Sequence, residues 1–131
     1  MKSMRHFKFA LLIISLLFLS LFVMGCGNEA ENDKVEGKTY TATVQGYEGD
    51  VTVHVTVGED GAINAINVDA PEETVEIGGA AAKKIAKAII AEQSLAVDTV
   101  SGATITSNAV ISATEAALKE AGVDTEALKK K

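Results

Sequence analysis

Alternation of apolar and hydroxyl-bearing residues marks the middle of the chain. In residues 39–45, Tyr40, Ala42 and Val44 share one side and Thr39, Thr41 and Thr43 the other. Residues 50–57 set Val51, Val53, Val55 and Val57 against Thr52, His54 and Thr56. A period of two predicts strands with one buried and one wetted face. Gly46-Tyr47-Glu48-Gly49 between them predicts a hairpin loop, and Asp60-Gly61 is the next turn signal. Residues 62–69 form a third strand whose apolar phase slips between Ile63 and Ile66, which predicts a bulge there. After Pro71 the period changes to that of a helix. Ala82, Ile85, Ala86, Ile89 and Ile90 make one stripe within residues 79–93, with Lys83, Lys84 and Lys87 on the far side. Residues 97–100 read as a short extended piece. A second helix is expected from Thr106 or Ser107 to about Glu120, with Val110, Ala113, Ala117 and Leu118 inward and Gly122 closing it. The pattern as a whole predicts an α+β fold: a small antiparallel meander of three or more strands packed against two helices.

The start of the chain follows different rules. Lys2, Arg5 and Lys8 precede an apolar run from Phe9 to Met24, broken only by Ser15 and Ser20. A basic start, an apolar stretch and a small residue before the cut describe a secretory signal, expected to be residues 1–25. The run of 16 residues is short for a permanent span, which wants about 20. Val23-Met24-Gly25-Cys26 resembles the bacterial lipobox, and this resemblance implies diacylglycerol on the Cys26 thiol with cleavage before it. A single cysteine in an exported chain otherwise invites oxidation, and two acyl chains give stable anchoring. Residues 26–37 are polar, acidic and aperiodic, as expected of a flexible tether. The organised domain is expected over residues 38–124, with residues 125–131 as a tail.

Charge narrows the partners. The chain of 131 residues carries 12 Lys and Arg against 18 Asp and Glu, a net −6. Loss of Lys2, Arg5 and Lys8 with the signal leaves nine against 18, or −9. That balance, with no Trp and two Tyr, argues against nucleic acid and against electrostatic attraction to anionic lipid, so the membrane contact falls to the lipid anchor.

Candidate chemistry concentrates in Asp98-Thr99-Val100-Ser101-Gly102-Ala103-Thr104, with Thr106 and Ser107 just beyond. The run holds no thiol, base or His. It offers one hydroxyl, Thr104, on a small-residue turn just before a helix, where unpaired backbone N–H groups and the positive dipole end suit a phosphate. The spacing Asp-x-x-Ser-Gly-Ala-Thr resembles the flavinylation motif of the FMN-binding domain family. The resemblance extends in order through the Tyr47 loop, the Val-rich strand, the Asp-Gly turn and Ile63-Asn64-Ala65-Ile66-Asn67-Val68. It implies that a flavin transferase takes FMN from FAD and esterifies it to Thr104. Asp98, Ser101, Gly102 and Ala103 are then what the transferase and phosphate site recognise, with Thr106 beside them. The family's Glu-Thr-Pro-Gly-Ile-Gly element, which helps wall the flavin, corresponds to Glu73-Thr74-Val75-Glu76-Ile77-Gly78. Glu73, Thr74, Ile77 and Gly78 match, while Val75 and Glu76 replace Pro and Gly. The resemblance therefore implies a looser or lower-potential site, with Glu76 adding charge near the flavin.

Several readings of single residues are bland. His54 on a polar strand face reads as solvated. Glu48, Asp50 and Asp60 lack a calcium-binding spacing, so no metal is expected. Glu72, Glu73 and Glu76 have no base within reach in sequence, and Ser101 and Ser107 have no His/Asp pattern, so no catalytic residue is assigned. The expected function is a lipid-anchored electron carrier at the extracytoplasmic face of the cell membrane, not itself an enzyme. It would relay electrons from a membrane NADH- or quinone-linked donor to an external or membrane acceptor. Two alternatives stay open: a lipoprotein module that holds a small anion or flavin non-covalently, and an accessory subunit of a membrane complex.

Overall fold

The computed structural model describes residues 35–130. The signal, Cys26 and most of the tether lie outside the described residues. Three antiparallel strands, β1 (Lys38–Gln45), β2 (Asp50–Val57) and β3 (Ile63–Asp69), form one sheet in the order β1-β2-β3. Register keeps the apolar phase intact: Tyr40 faces Val55, Ala42 faces Val53 and Val44 faces Val51. Between β2 and β3, Val53 faces Val68 and Val55 faces Ile66. Thr56 then pairs with Ala65 but Val57 with Ile63, so Asn64 is the extra residue of a bulge where the sequence phase slips. Hydroxyls line the other face in cross-strand pairs, Thr39 with Thr56 and Thr43 with Thr52, each 2.9 Å apart. Thr41 is hydrogen bonded to His54 Nδ1 at 2.8 Å, and His54 Nε2 lies 3.2 Å from Asp69. His54 thus belongs to a wet, self-paired sheet face.

Helices α1 (Ala80–Glu92) and α2 (Thr104–Glu120) cover the apolar side. The core is built from Val51, Val53 and Val55 of the central strand, Ile85 and Ile89 of α1, and Val110 and Leu118 of α2. Truncating one of the buried Ile or Leu side chains to Ala is expected to cost about 2–5 kcal/mol. A single π-helical turn, Val75–Gly79, leads directly into α1. The helix stops at Gln93, whose left-handed φ of 48° is unusual for a residue with a side chain. Its amide group offsets that strain: Gln93 Oε1 accepts from Ile63 N, and Nε2 donates to Ile63 O and Ile90 O.

The segment expected as a tail begins with α3 (Thr125–Leu128), a short helix docked on the domain. Thr125 is buried and Leu128 packs against the core. The carbonyl of Leu128 accepts from Leu95 N at 3.0 Å and Ser94 Oγ at 2.9 Å, which ties α3 to the stretch after α1. Residues 97–100 run out from there without strand pairing and deliver the turn before α2.

Candidate functional site

Three loops at one end of the sheet bring together residues far apart in sequence. The β1–β2 hairpin closes through Gly46 N donating to Gly49 O at 2.7 Å and presents Tyr47 and Glu48. The second segment follows β3: Glu73 N donates to Ala70 O, and Thr74 O accepts from both Ile77 and Gly79. The third is the tight turn from Val100 to Ala103, closed by Ala103 N donating to Val100 O at 3.0 Å. Gly102, at φ 84°, occupies the turn position that demands a left-handed backbone.

Ser107 fixes this turn to the helix. Its hydroxyl donates to Ala103 O at 2.7 Å and accepts from Val100 N at 3.0 Å. Ser107 was expected to open the helix and instead sits in its first turns, with its amide bonded to Ala103 O. Helix α2 therefore starts at Thr104, two residues before the earlier of the expected starts, and Thr104 is its first helical residue and not a residue of the preceding turn. The cap position falls to Ala103, which has no side-chain oxygen, so no side chain caps α2. The first amides of a long helix are left for another acceptor. Thr104 is exposed beside them.

The three segments enclose a cleft of about 500 Å³, lined among others by Tyr47, Glu73, Ile77, Gly78, Thr104 and Ile105. Its size is within the usual range of small-molecule sites, about 300–1,000 Å³. Five large apolar side chains are exposed among the described residues. Tyr47, Ile77 and Ile105, 71%, 57% and 54% exposed, rim this cleft, and Val75 stands beside Ile77 in the π-helical turn. An apolar rim beside an uncapped helix start fits a ligand with a flat apolar ring system and a phosphate. FMN is such a ligand. A larger hollow at Glu36, Tyr40, Glu59, Asp60, Asn64 and Asp124 is rich in carboxylates, and the helix start there is already capped by Asp124.

Glu73 forms the floor of the cleft. It is 4% exposed. Oε1 accepts from Tyr47 N at 2.7 Å and Glu48 N at 2.9 Å, and Oε2 accepts from Thr106 Oγ1 at 2.6 Å. Burial pushes the carboxyl's pKa up. The Thr106 hydroxyl and the amides of Glu48 and Tyr47 more than offset this and hold it below the ordinary Glu value. A Cβ at Gly46 would lie 2.5 Å from Oε1, and one at Gly78 would lie 2.5 Å from Oε2. Both glycines make room for this carboxylate.

Of the residues expected at the site, Thr104, Gly102, Ala103, Thr106, Glu73, Thr74 and Gly78 line the cleft together. Thr74 Oγ1 also donates to Glu48 Oε2 at 3.0 Å. Asp98 and Ser101 are exposed and outside the lining. Val75 and Glu76 are exposed and also outside it, so the charge nearest the cleft belongs to Glu73 and Glu48 and not to Glu76. Tyr47, Glu48 and Ile105 were not among the expected site residues. Ile105 carried a signal: it is an apolar residue off the Val110–Ala113–Ala117 stripe, hence on the outer side of the helix.

Comparison with known proteins agrees with this geometry. The sequence profile of the FMN-binding domain matches residues 46–119, more than half of the chain, from the Gly46 loop to the end of α2. Over 96 residues the chain is 37% identical to a protein named NADH:acrylate oxidoreductase from Vibrio harveyi. That alignment covers 73% of this chain and 10% of the relative, so the chain spans about a tenth of that protein's length. With the family profile matched over more than half of the chain and the relative 37% identical over 73% of it, the chain belongs to the FMN-binding domain family.

Proposed function

We propose that this protein is a lipid-anchored electron carrier with FMN joined through a phosphoester to Thr104. The observation that carries the reading is the exposed Thr104 hydroxyl on the uncapped first residue of α2, opening on an apolar-rimmed cleft. In the attachment step the Thr104 oxygen bonds to the FMN phosphorus of FAD. The pyrophosphate P–O bond breaks, AMP leaves, and the hydroxyl proton passes to the transferase. Asp98 and Ser101, exposed on the approach to Thr104, suit recognition by that enzyme. When bound, the flavin supplies reversible uptake of one or two electrons. The chain's own residues do the rest. The α2 amides and Gly102 would seat the phosphate, Tyr47, Ile77 and Ile105 would cover apolar ring surface, and Ser107 holds the turn in register.

The address rests on the sequence: the basic start, the apolar run and Val23-Met24-Gly25-Cys26 support lipidation at Cys26 and an extracytoplasmic position. Covalent attachment suits that position, because a dissociable cofactor would be diluted away. A relay of this kind takes electrons from a membrane NADH- or quinone-linked donor, and has no substrate chemistry of its own.

Intact mass of the chain produced in a host with a flavin transferase tests both modifications at once. The expected mass is that of the chain from Cys26 plus diacylglycerol and plus FMN, with yellow colour retained after denaturation. Flavin released by denaturation would replace the phosphoester with reversible binding. Cys26→Ser should abolish membrane fractionation or processing, and normal anchoring in that variant would refute lipidation. Asp98→Ala should slow flavin loading while leaving the loaded protein's potential unchanged. A changed potential with normal loading would move Asp98 to the flavin itself.

A further inference from the structure

Glu73 is placed unusually for a carboxylate. Among the described residues it is the buried acid, and its three hydrogen-bond partners are two amides and a hydroxyl. The ion pairs among these residues lie elsewhere: His54 with Asp69, Glu115 with Lys119 and Lys129, and Glu126 with Lys129. No Lys, Arg or His lines the cleft among the described residues. Burying a charge without a cation is costly, and a neutral side chain of the same shape would ordinarily serve stability as well or better. Its hydrogen bonds reach 26 and 25 residues back to the hairpin and 33 residues forward to α2, so one side chain joins all three walls of the cleft. Gly46 and Gly78 flank it at distances that admit no side chain.

We propose that Glu73 is a positioning residue for the flavin site, which clasps the three walls of the cleft and fixes a negative charge at its floor that keeps the cofactor's potential low. The proposal rests on the reading that FMN occupies this cleft. Electrons added beside a fixed negative charge meet Coulomb repulsion, which is stronger near a partly desolvated floor than in water. Glu48 is the second carboxylate at the cleft, but it is exposed and screened, so its share is smaller. The charge that the sequence placed at Glu76 is supplied from inside.

The test uses the full chain loaded with flavin, and two substitutions separate charge from shape. Glu73→Gln keeps the outline: its oxygen still accepts from Tyr47 N and Glu48 N, and its amide donates to Thr106 Oγ1. Its midpoint potential at neutral pH, read by spectroelectrochemical titration, should rise above the parent's. Thr106→Val removes one bond but keeps the charge, and its potential should stay near the parent's. An unchanged potential in folded, loaded Glu73→Gln would overturn the electrostatic role. So would an equal rise in Thr106→Val, which would assign the effect to loosened packing. Failure of a folded Glu73→Gln chain to load flavin, where the parent loads, would also count against it.

The clasp is read without cofactor. Hydrogen exchange at the Tyr47 and Glu48 amides of the flavin-free chain should accelerate in Glu73→Ala and stay slow in Glu73→Gln. No acceleration in Glu73→Ala would overturn the clasp. Absence of flavin from the parent itself would instead refute the reading under Proposed function, and the exchange measurement would still decide the clasp.

Discussion

Two helices of this domain begin in opposite ways. The short α3 is capped: Asp124 accepts from Glu126 N at 3.1 Å and Ala127 N at 3.3 Å. The longest helix among the described residues, α2, has Ala103 at the same position and no side-chain acceptor. Stability alone would favour the reverse, since a capped long helix supports more of the core than a capped single turn. The difference follows what surrounds each start. Asp124 closes the first turn of α3, whereas the α2 start opens on the cleft that Thr104 and Glu73 share. One helix start is capped by a side chain of the chain itself, and the other has no side-chain cap.

The largest expected effect breaks the comparison at the open end. Thr104→Ala should remove covalent flavin completely, as read by in-gel fluorescence after denaturation. The exposed hydroxyl has no hydrogen-bond partner among the described residues, so flavin-free stability should stay within about 0.5 kcal/mol of the parent. Fluorescence that persists would move the attachment to another hydroxyl, with Ser101 and Thr106 the nearest candidates. Thr106 is the poorer of these, because its hydroxyl is buried on Glu73.

Acid separates the two regions next. Glu73 at the cleft and Glu115 near α3 both titrate below the ordinary Glu value of 4.5 when folded. A carboxylate whose folded pKa is depressed contributes stability above its unfolded pKa, and that contribution is lost as pH falls through the lower folded value. Stability should therefore decline below about pH 4.5, measured by denaturant titration across a pH series. The causes differ. Burial works against Glu73, and Thr106 with the amides of Glu48 and Tyr47 overcomes it, whereas hydrogen bonds from Lys119 and Lys129 lower Glu115. Salt at about 1 M should weaken the lysine-dependent part and spare the amide-dependent part. Glu73→Gln should flatten the acid decline that remains in salt.

A smaller effect is expected at the closed end. Asp124→Ala removes both cap bonds and should cost about 1 kcal/mol in flavin-free stability. Flavin loading should be unchanged, because Asp124 lines the other hollow and not the cleft. Loss of loading in a folded Asp124→Ala chain would mean that the two ends are coupled through α2.

How far these regions could be read in the sequence depends on how local their causes are. The Thr/Val alternation of β1 and β2, the slip at Asn64 and the isoleucine stripe of α1 are short-range patterns, and each produced its element. The start of α2 was misplaced because Thr106 and Ser107 are good cap residues. Ser107 instead spends its hydroxyl on Ala103 O and Val100 N, a choice set by the turn's three-dimensional path. Asp124 before Thr125-Glu126 is a legible cap, but a helix of one turn is too short to carry a periodic pattern that marks it. Glu73 was the least legible. It stands in a charged run with Glu72 and Glu76, and nothing nearby says which acid turns inward. Its partners lie 25 to 33 residues away.

The smallest effect gives the sharpest test, because it makes the open helix start resemble the closed one. Ala103→Ser places a hydroxyl at the cap of α2, where it can accept from the free amides of the first turn. Flavin-free stability should rise by about 0.5–1 kcal/mol. If those amides seat the flavin phosphate, the added hydroxyl competes for them and loading should slow. Ala103 also belongs to the stretch assigned to transferase recognition, so loading alone does not isolate the cause. Inorganic phosphate does, because it needs no transferase. Millimolar phosphate should raise the melting temperature of the flavin-free parent more than that of Ala103→Ser. An equal rise in both would show that the α2 start does not hold the anion. The missing cap would then be a cost to stability without a function, and the contrast with Asp124 would lose its meaning.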